Sequence, residues 1–261
     1  MDHGMNSQDE ANQRVYHAFG VDREYGRWEL SRCEATTLLK YQSTFAGRDV
    51  LDVGVGTGRT TFYIAPLARR YEAIDYSPVM VERVKTTMPA ISVRLSDFRD
   101  LSAFSDASID MIFATNNVYD AVSHEDRTRS LAEAHRVLRP GGHLMFTSHN
   151  RRYRHARRRP VLARSRNPVT QAAHVVTWMR SIANQLRNRH LERVEADYAI
   201  LTDEGHDYQC LHYYVDPLVQ RRRLAELGYR VVDVLDHVGR SVAETDACIT
   251  SPWLMYVASR E

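Results

Sequence analysis

Along the first 150 positions, short apolar runs alternate with segments of helical period. Runs at 49–53, 71–75, 91–95, 109–115 and 144–148 read as strands, and the spacing predicts helices over 57–68, 78–88 and 124–138. The last helix is expected to stop at Arg139-Pro140-Gly141-Gly142, where proline ends it and the glycines turn the chain into the next strand. Parallel neighbours need a covering crossover, so this alternation predicts an α/β fold with a doubly wound, mostly parallel sheet. The regularity breaks over 151–215, which holds a basic run, an amphipathic helix at 169–191, and two period-two segments, 194–201 and 208–215. Those segments flank Thr202-Asp203-Glu204-Gly205-His206-Asp207 and predict an antiparallel hairpin. A helix at 216–227, closed by Gly228, and strands at 230–236 and 252–258 then complete a seven-stranded sheet. The expected organisation is an N-terminal lid or helical segment (1–47), a core (48–150), a cap insertion of helix plus hairpin (151–215) and a C-terminal completion of the sheet (216–261).

Composition narrows this picture only a little. A 261-residue chain that is 43% hydrophobic suits one decorated core rather than two domains, and a formal charge of +2 argues against an overall polyanion partner. Of the 35 basic residues only Lys40 and Lys85 are lysines, a bias spread along the whole chain and therefore weak evidence for phosphate binding. Three distant cysteines, a polar N-terminal segment without a leader, and no apolar run of spanning length are expectations of a cytoplasmic protein with no membrane partner.

The chemistry starts at the end of the first strand. Asp52-Val53-Gly54-Val55-Gly56-Thr57-Gly58 places glycines at alternate positions between strand and helix, letting a ligand approach main-chain N–H groups that a Cβ would shield. Asp75 ends the next strand, about twenty residues on, where a carboxylate suits a ribose diol. The third glycine comes one residue too early for a dinucleotide loop, which disfavours an oxidoreductase.

With Ala73-Ile74-Asp75-Tyr76-Ser77, Ser96-Asp97-Phe98, Phe113-Ala114-Thr115-Asn116-Asn117 and Arg136-Val137-Leu138-Arg139-Pro140-Gly141-Gly142 following in order, residues 48–150 resemble the class I S-adenosylmethionine-dependent methyltransferases. The resemblance implies a Rossmann-like fold, S-adenosyl-L-methionine as cofactor, and a site built on Gly54, Gly56, Gly58, Asp75 and Asn116. It further implies that Tyr76 and Met80 flank the adenine, that Asp97 accepts from the adenine amino group, and that Phe98 lies beside it. It also implies a lid from the segment holding Tyr16 and Tyr25, with Arg32 nearest in spacing to an arginine that pairs with the methionine carboxylate.

On the acceptor side, Asn116-Asn117-Val118-Tyr119 lacks the two prolines that planar-nitrogen methylation of nucleobases would bring, and its amides are poor stand-ins for metal-binding carboxylates, so no metal is expected. His149, at the exit of the fifth strand, is the candidate general base. Strand alternation sets His212 and Tyr214 on one face of the hairpin and Tyr213 on the other. His212 and Tyr214 are the further catalytic candidates, the first face being favoured; Tyr119, Arg151, Arg152 and Tyr213 are the substrate-binding ones. The run from Arg151 to Arg166 reads as a solvated loop, a site for an anionic small molecule, or a nucleic-acid contact, in that order. The reading is therefore methylation of an oxygen or nitrogen on a small metabolite. RNA or protein methylation and a non-catalytic cofactor-binding subunit remain as alternatives, and a homodimer is left open.

Overall fold

The computed structural model describes residues 7–17, 29–246 and 248–261. Its sheet has ten strands, in the order β3-β2-β1-β4-β5-β8-β7-β6 with β10 and β9 branching from β5. Strands β1 (Asp49–Val53), β2 (Arg70–Asp75), β3 (Ser92–Leu95), β4 (Ile109–Ala114) and β5 (Leu138–Asn150) are mutually parallel. Antiparallel β10 (Trp253–Arg260) lies against β5, and β9 (Tyr229–Leu235) lies against β10. These seven strands form the expected sheet. The other three, β6 (Arg193–Val194), β7 (Tyr198–Thr202) and β8 (Leu211–Val215), come from the 151–215 segment and join the same sheet.

Period-two alternation along the central strands separates two cores. Leu51, Val53, Ile112, Ala114, Leu144 and Phe146 face one side, where Leu131 and Ala134 of helix α6 (His124–Val137) cover them. Val50, Met111, Phe113 and Met145 face the other, under Cys33 and Phe45. The helices start where local chemistry dictates. Ser31 and Glu34 form a capping box at α2 (Arg32–Lys40), Ser123 caps α6, and Asp216 followed by Pro217 opens α8 (Pro217–Glu226).

Two elements differ from expectation. The helix expected over 57–68 shrinks to Thr61–Ile64, because Gly58 is left-handed (φ +86°) ahead of it and Pro66 follows. Strand β5 begins at Leu138, with no loop before it: Ile109 pairs Leu138 while Met111 pairs His143, so Arg139 to Gly142 form a bulge. A Cβ on Gly142 would lie 2.8 Å from the Arg139 carbonyl oxygen, which is why glycine stands there.

Strand β4 stops opposite Phe146, and β8 takes its place on the same edge of β5, pairing His149 with Tyr214 and Asn150 with Val215. The hairpin β7–β8 thereby projects past the carboxyl ends of the core strands. Over the junction lies the N-terminal helix, Ser7–Tyr16, which the hydrophobic pattern did not announce. Its buried face is polar: Asn12 Nδ2 donates to the Ala121 and Leu211 carbonyls (2.6 and 2.8 Å), Asn12 Oδ1 accepts from the Leu211 amide, and Asp9 meets Arg99 at 2.8 Å. No helix among the described residues is long and apolar enough to cross a membrane. Cys33, Cys210 and Cys248 are all buried and lie in no disulfide.

Candidate functional site

Two cavities open at the carboxyl ends of the strands, where ligands of open α/β sheets bind. The first encloses about 790 Å³ of space, counting its mouth, and is lined by Gly54, Gly56, Asp75, Tyr76, Met80 and Phe98 among others. Gly54 packs against Val118, whose Cγ atoms would lie 2.6 and 2.8 Å from an added Cβ. A Cβ on Gly56 would instead meet no protein atom within 4 Å, so the room beside that backbone is left for a ligand. Gly58 is left-handed as well and faces Met88.

Asp75 is 6% exposed and anchored from behind: its carboxylate accepts from the Gly56 amide and the Ser77 amide, both at 2.8 Å. The Tyr76 amide adds a third backbone hydrogen bond, and the carboxylate still borders the cavity, where a diol could donate to it. Burial pushes this carboxyl up to about 6, against the opposing pull of its backbone hydrogen bonds. Asp52, the first residue of the glycine motif, is fully buried; its carboxylate accepts from Thr60 and Tyr71, fixing the return of the loop, and burial lifts it to about 6 as well. The cavity matches an adenosine bearing a sulfonium side chain: a carboxylate for the ribose, apolar walls at Met80 and Phe98 for the base, and bare main chain at Gly56 between them.

Several expected contacts fall elsewhere. Asp97 does not line this cavity; Arg99, two residues on, holds its carboxylate at 2.6 Å, and it borders a small adjoining recess with Tyr76 and Phe98. Arg32 is exposed on the first turn of α2 and lines neither cavity. Arg59 does line the first one, with two hydrogen bonds of 2.5 and 2.6 Å to the Glu34 carboxylate. The only hint of it in the sequence is its place directly after the third glycine. Tyr16 reaches the cavity from the end of the N-terminal helix, whereas Tyr25 lies outside the described residues.

The second cavity, about 1300 Å³ with its mouth, shares Tyr16, Asn116 and Asn117 with the first. Both asparagines are left-handed (φ +58° and +59°), which turns the end of β4 out between the two spaces. Here the structure brings together His149, Asp203, His212 and Tyr214. Asp203 Oδ2 accepts from His212 Nδ1 at 2.8 Å and from the Tyr214 hydroxyl at 2.7 Å, and lies 3.8 Å from His149 Nε2. Burial alone would raise the Asp203 carboxyl, but the His212 charge and hydrogen bond, with His149 and Tyr214, hold it well below the usual carboxylate range. The same partnership raises His212 against the desolvation that would lower it.

Behind His149 stands Asp120, fully buried at the start of the turn that follows Asn117. Asp120 accepts from His149 Nδ1 at 2.9 Å, from the Ser148 hydroxyl at 2.8 Å and from Arg127 Nε at 3.2 Å. A proton on Nδ1 leaves the Nε2 lone pair facing the cavity, where Asn117 Nδ2 lies 3.2 Å away. Asp120 and Asp203 escaped the sequence reading because nothing local marks an aspartate in a turn as a partner for a distant histidine.

The remaining substrate-binding candidates do not border this space. Tyr119 is fully buried between Phe98 and Phe146. Tyr213 points to the opposite face of β8, onto His124, Arg127 and Tyr198. Arg151 donates to the Ala196 carbonyl and Arg152 to Asp216, so both brace the cap. The basic run reaches the cavity through Tyr153, His155 and Arg158 instead.

Residues 50–142 match the family model described as a methyltransferase domain. A probable S-adenosylmethionine-dependent methyltransferase of Mycolicibacterium smegmatis is 35% identical over 107 residues, 41% of this chain and 40% of that protein, so the chain spans well under two thirds of that relative's length. Among solved structures, the CcbJ methyltransferase of Streptomyces caelestis superposes with a TM-score of 0.60 at 16% identity, covering 95% of this chain and 98% of that one. The 1,6-didemethyltoxoflavin-N1-methyltransferase of Burkholderia thailandensis, solved with bound 1,6-didemethyltoxoflavin and S-adenosylhomocysteine, gives a TM-score of 0.59 at 15% identity over 100% of this chain and 93% of that one. At those identities the likeness is one of fold; the sequence match lies within residues 50–142, and that stretch is similar to the methyltransferase domain of S-adenosylmethionine-dependent methyltransferases.

Proposed function

We propose that this protein methylates an oxygen or nitrogen of a small, acidic metabolite held in the second cavity. The observation that carries the reading is the partition of the site: a cofactor-shaped space and a polar space meet at Tyr16, Asn116 and Asn117. When bound, the cofactor supplies an electrophilic methyl carbon on a sulfonium. Gly56, Asp75 and Met80 would hold its nucleoside, and Asn116 lines both cavities where they meet. Hydrogen bonds from an acceptor O–H or N–H to the lone pairs of the His149–Asp203 floor turn the acceptor's own lone pair toward that carbon. An acceptor so held would give up its proton on methylation, to solvent at the mouth of the second cavity. Positioning of this kind supplies much of the acceleration, because the bound pair avoids the entropy of encounter. Arg158, at the rim, suits an acidic group on the acceptor.

Incubation of the protein with deuterated-methyl cofactor and fractionated metabolites, followed by mass spectrometry, should reveal a heavy-methyl product of low mass that disappears with Asp75→Ala. Label appearing only in RNA or protein, or in no species, would refute the reading.

A further inference from the structure

The polar floor of the second cavity has a composition that hydrogen bonding to a metabolite alone does not require. His149, Asp203 and His212 come from the end of β5, from the loop after β7 and from β8, and one ligand-type atom of each lies within 4.8 Å of the other two. We infer that this trio is a binding site for one divalent transition-metal ion, held by His149 Nε2, His212 Nδ1 and an oxygen of Asp203. The inference rests on the second cavity being the acceptor site and deepens that reading: with the ion bound, its open coordination positions, in place of the lone pairs of His149 and Asp203, would receive an oxygen of the acceptor.

The separations fit. Ligand atoms 2.0–2.2 Å from a common ion stand roughly 3.0–3.5 Å apart, depending on geometry. Here His212 Nδ1 and His149 Nε2 lie 2.8 and 3.8 Å from the same Asp203 oxygen. The three ligand-type atoms lie within 4.8 Å of one another, so the side chains must draw together for coordination, in which the ion takes the place of the proton shared by His212 and Asp203.

The outer contacts match what ligating histidines need, since a metal-bound imidazole donates its other N–H to an oxygen that fixes ring and tautomer. His149 Nδ1 has the buried Asp120 carboxylate at 2.9 Å, itself fastened by Ser148 and Arg127. His212 Nε2 has the Tyr16 hydroxyl at 3.4 Å. The Asp203 carboxylate is oriented by the Gly205 amide at 2.9 Å and the Tyr214 hydroxyl at 2.7 Å. Asn117 Oδ1 is buried beside the cluster with no hydrogen-bond partner among the described residues. Two imidazoles and one carboxylate favour zinc, iron, cobalt or nickel over magnesium or calcium, which prefer all-oxygen shells.

The test needs no acceptor and no turnover. Full-length protein is stripped with chelator and titrated with Zn(II) by calorimetry, and with Co(II) by visible absorption. One ion per chain is expected, with binding weakened about 100-fold or more in Asp203→Asn and in His212→Ala but unchanged in Arg158→Ala, which borders the same cavity without offering a ligand. Calorimetric binding of S-adenosylhomocysteine by each variant shows that it is folded. Should a variant fail to fold, X-ray absorption on the Zn-loaded wild type decides, because it must show imidazole and oxygen neighbours. Absence of stoichiometric binding, binding that survives both substitutions, or a sulfur shell would overturn the inference. Metal binding without any methylated product would leave this site standing and sink the methylation reading alone.

Discussion

The two glycines that open the donor loop make opposite demands, and alanine at each separates them. Both Gly54 and Gly56 are left-handed, with φ of +67° and +56°. An alanine in that region costs about 1–2 kcal/mol in either place. At Gly54 the new methyl must also displace Val118, whose Cγ atoms lie 2.6 and 2.8 Å from it, adding an overpacking cost of about 1–3 kcal/mol. Gly54→Ala should therefore destabilise the ligand-free protein by about 2–5 kcal/mol and Gly56→Ala by only about 1–2 kcal/mol. For a chain of this size that is a gap in melting temperature of a few degrees, at roughly 2–4 °C per kcal/mol. Cofactor binding should respond more steeply to the milder change, since the space beside Gly56 is the ligand's. Urea unfolding gives the first quantity and calorimetry with S-adenosylhomocysteine the second. If Gly56→Ala binds like wild type, or unfolds as easily as Gly54→Ala, the division between a packing glycine and a ligand-facing glycine is wrong.

Further expectations follow from the same geometry. Burial holds the Asp75 carboxyl at about 6, above its ordinary 3.8; the folded protein therefore takes up this proton first, and this group alone makes ligand-free protein more stable as pH falls from about 6 to about 4. Cofactor affinity should drop over that window as the ribose acceptor is neutralised, by up to about 10-fold between pH 7.5 and pH 5; calorimetry at the two pH values checks it, and Asp75→Asn should flatten the profile. Removing the buried Arg127 leaves Asp120 uncompensated, so Arg127→Ala should cost about 3–5 kcal/mol in urea unfolding. Arg158→Ala should raise the acceptor's Michaelis constant while Arg151→Ala with Arg152→Ala leaves it in place, because those two arginines bond the cap itself.

The core strands and the glycine loop were legible because one-dimensional signals fix them: short apolar runs give β1, β2 and β4, and glycines at alternate positions between strand and helix mark the donor loop. Period-two alternation made legible the division of β8 into a His212/Tyr214 side and a Tyr213 side, but not which of the two faces the cavity. What escaped depends on contacts distant in sequence. Asp120 and Asp203 become partners of His149 and His212 only once β5 and β8 pair, and Arg59 is distinguished by Glu34, 25 residues before it. Within the expected lid or helical segment over 1–47, the bounds and docking face of the N-terminal helix escaped because it docks largely through Gln8, Asp9 and Asn12, residues that a hydrophobicity reading assigns to water.

That manner of docking has a consequence for turnover. Amides bonded to main-chain carbonyls exchange for water at a net cost of only about 1 kcal/mol apiece, and Asn12 divides its bonds between the Ala121 turn and Leu211 of the hairpin. The helix is thus held across the seam between core and hairpin by exchangeable amide bonds, one buried ion pair from Asp9 to Arg99 and the small apolar contact of Ala11, with Tyr16 at its end lining both cavities. Loosening it would widen the way out of the first cavity past Tyr16, so Asn12→Ala is expected to speed release of S-adenosylhomocysteine in stopped-flow measurement, and an unchanged release rate would refute this.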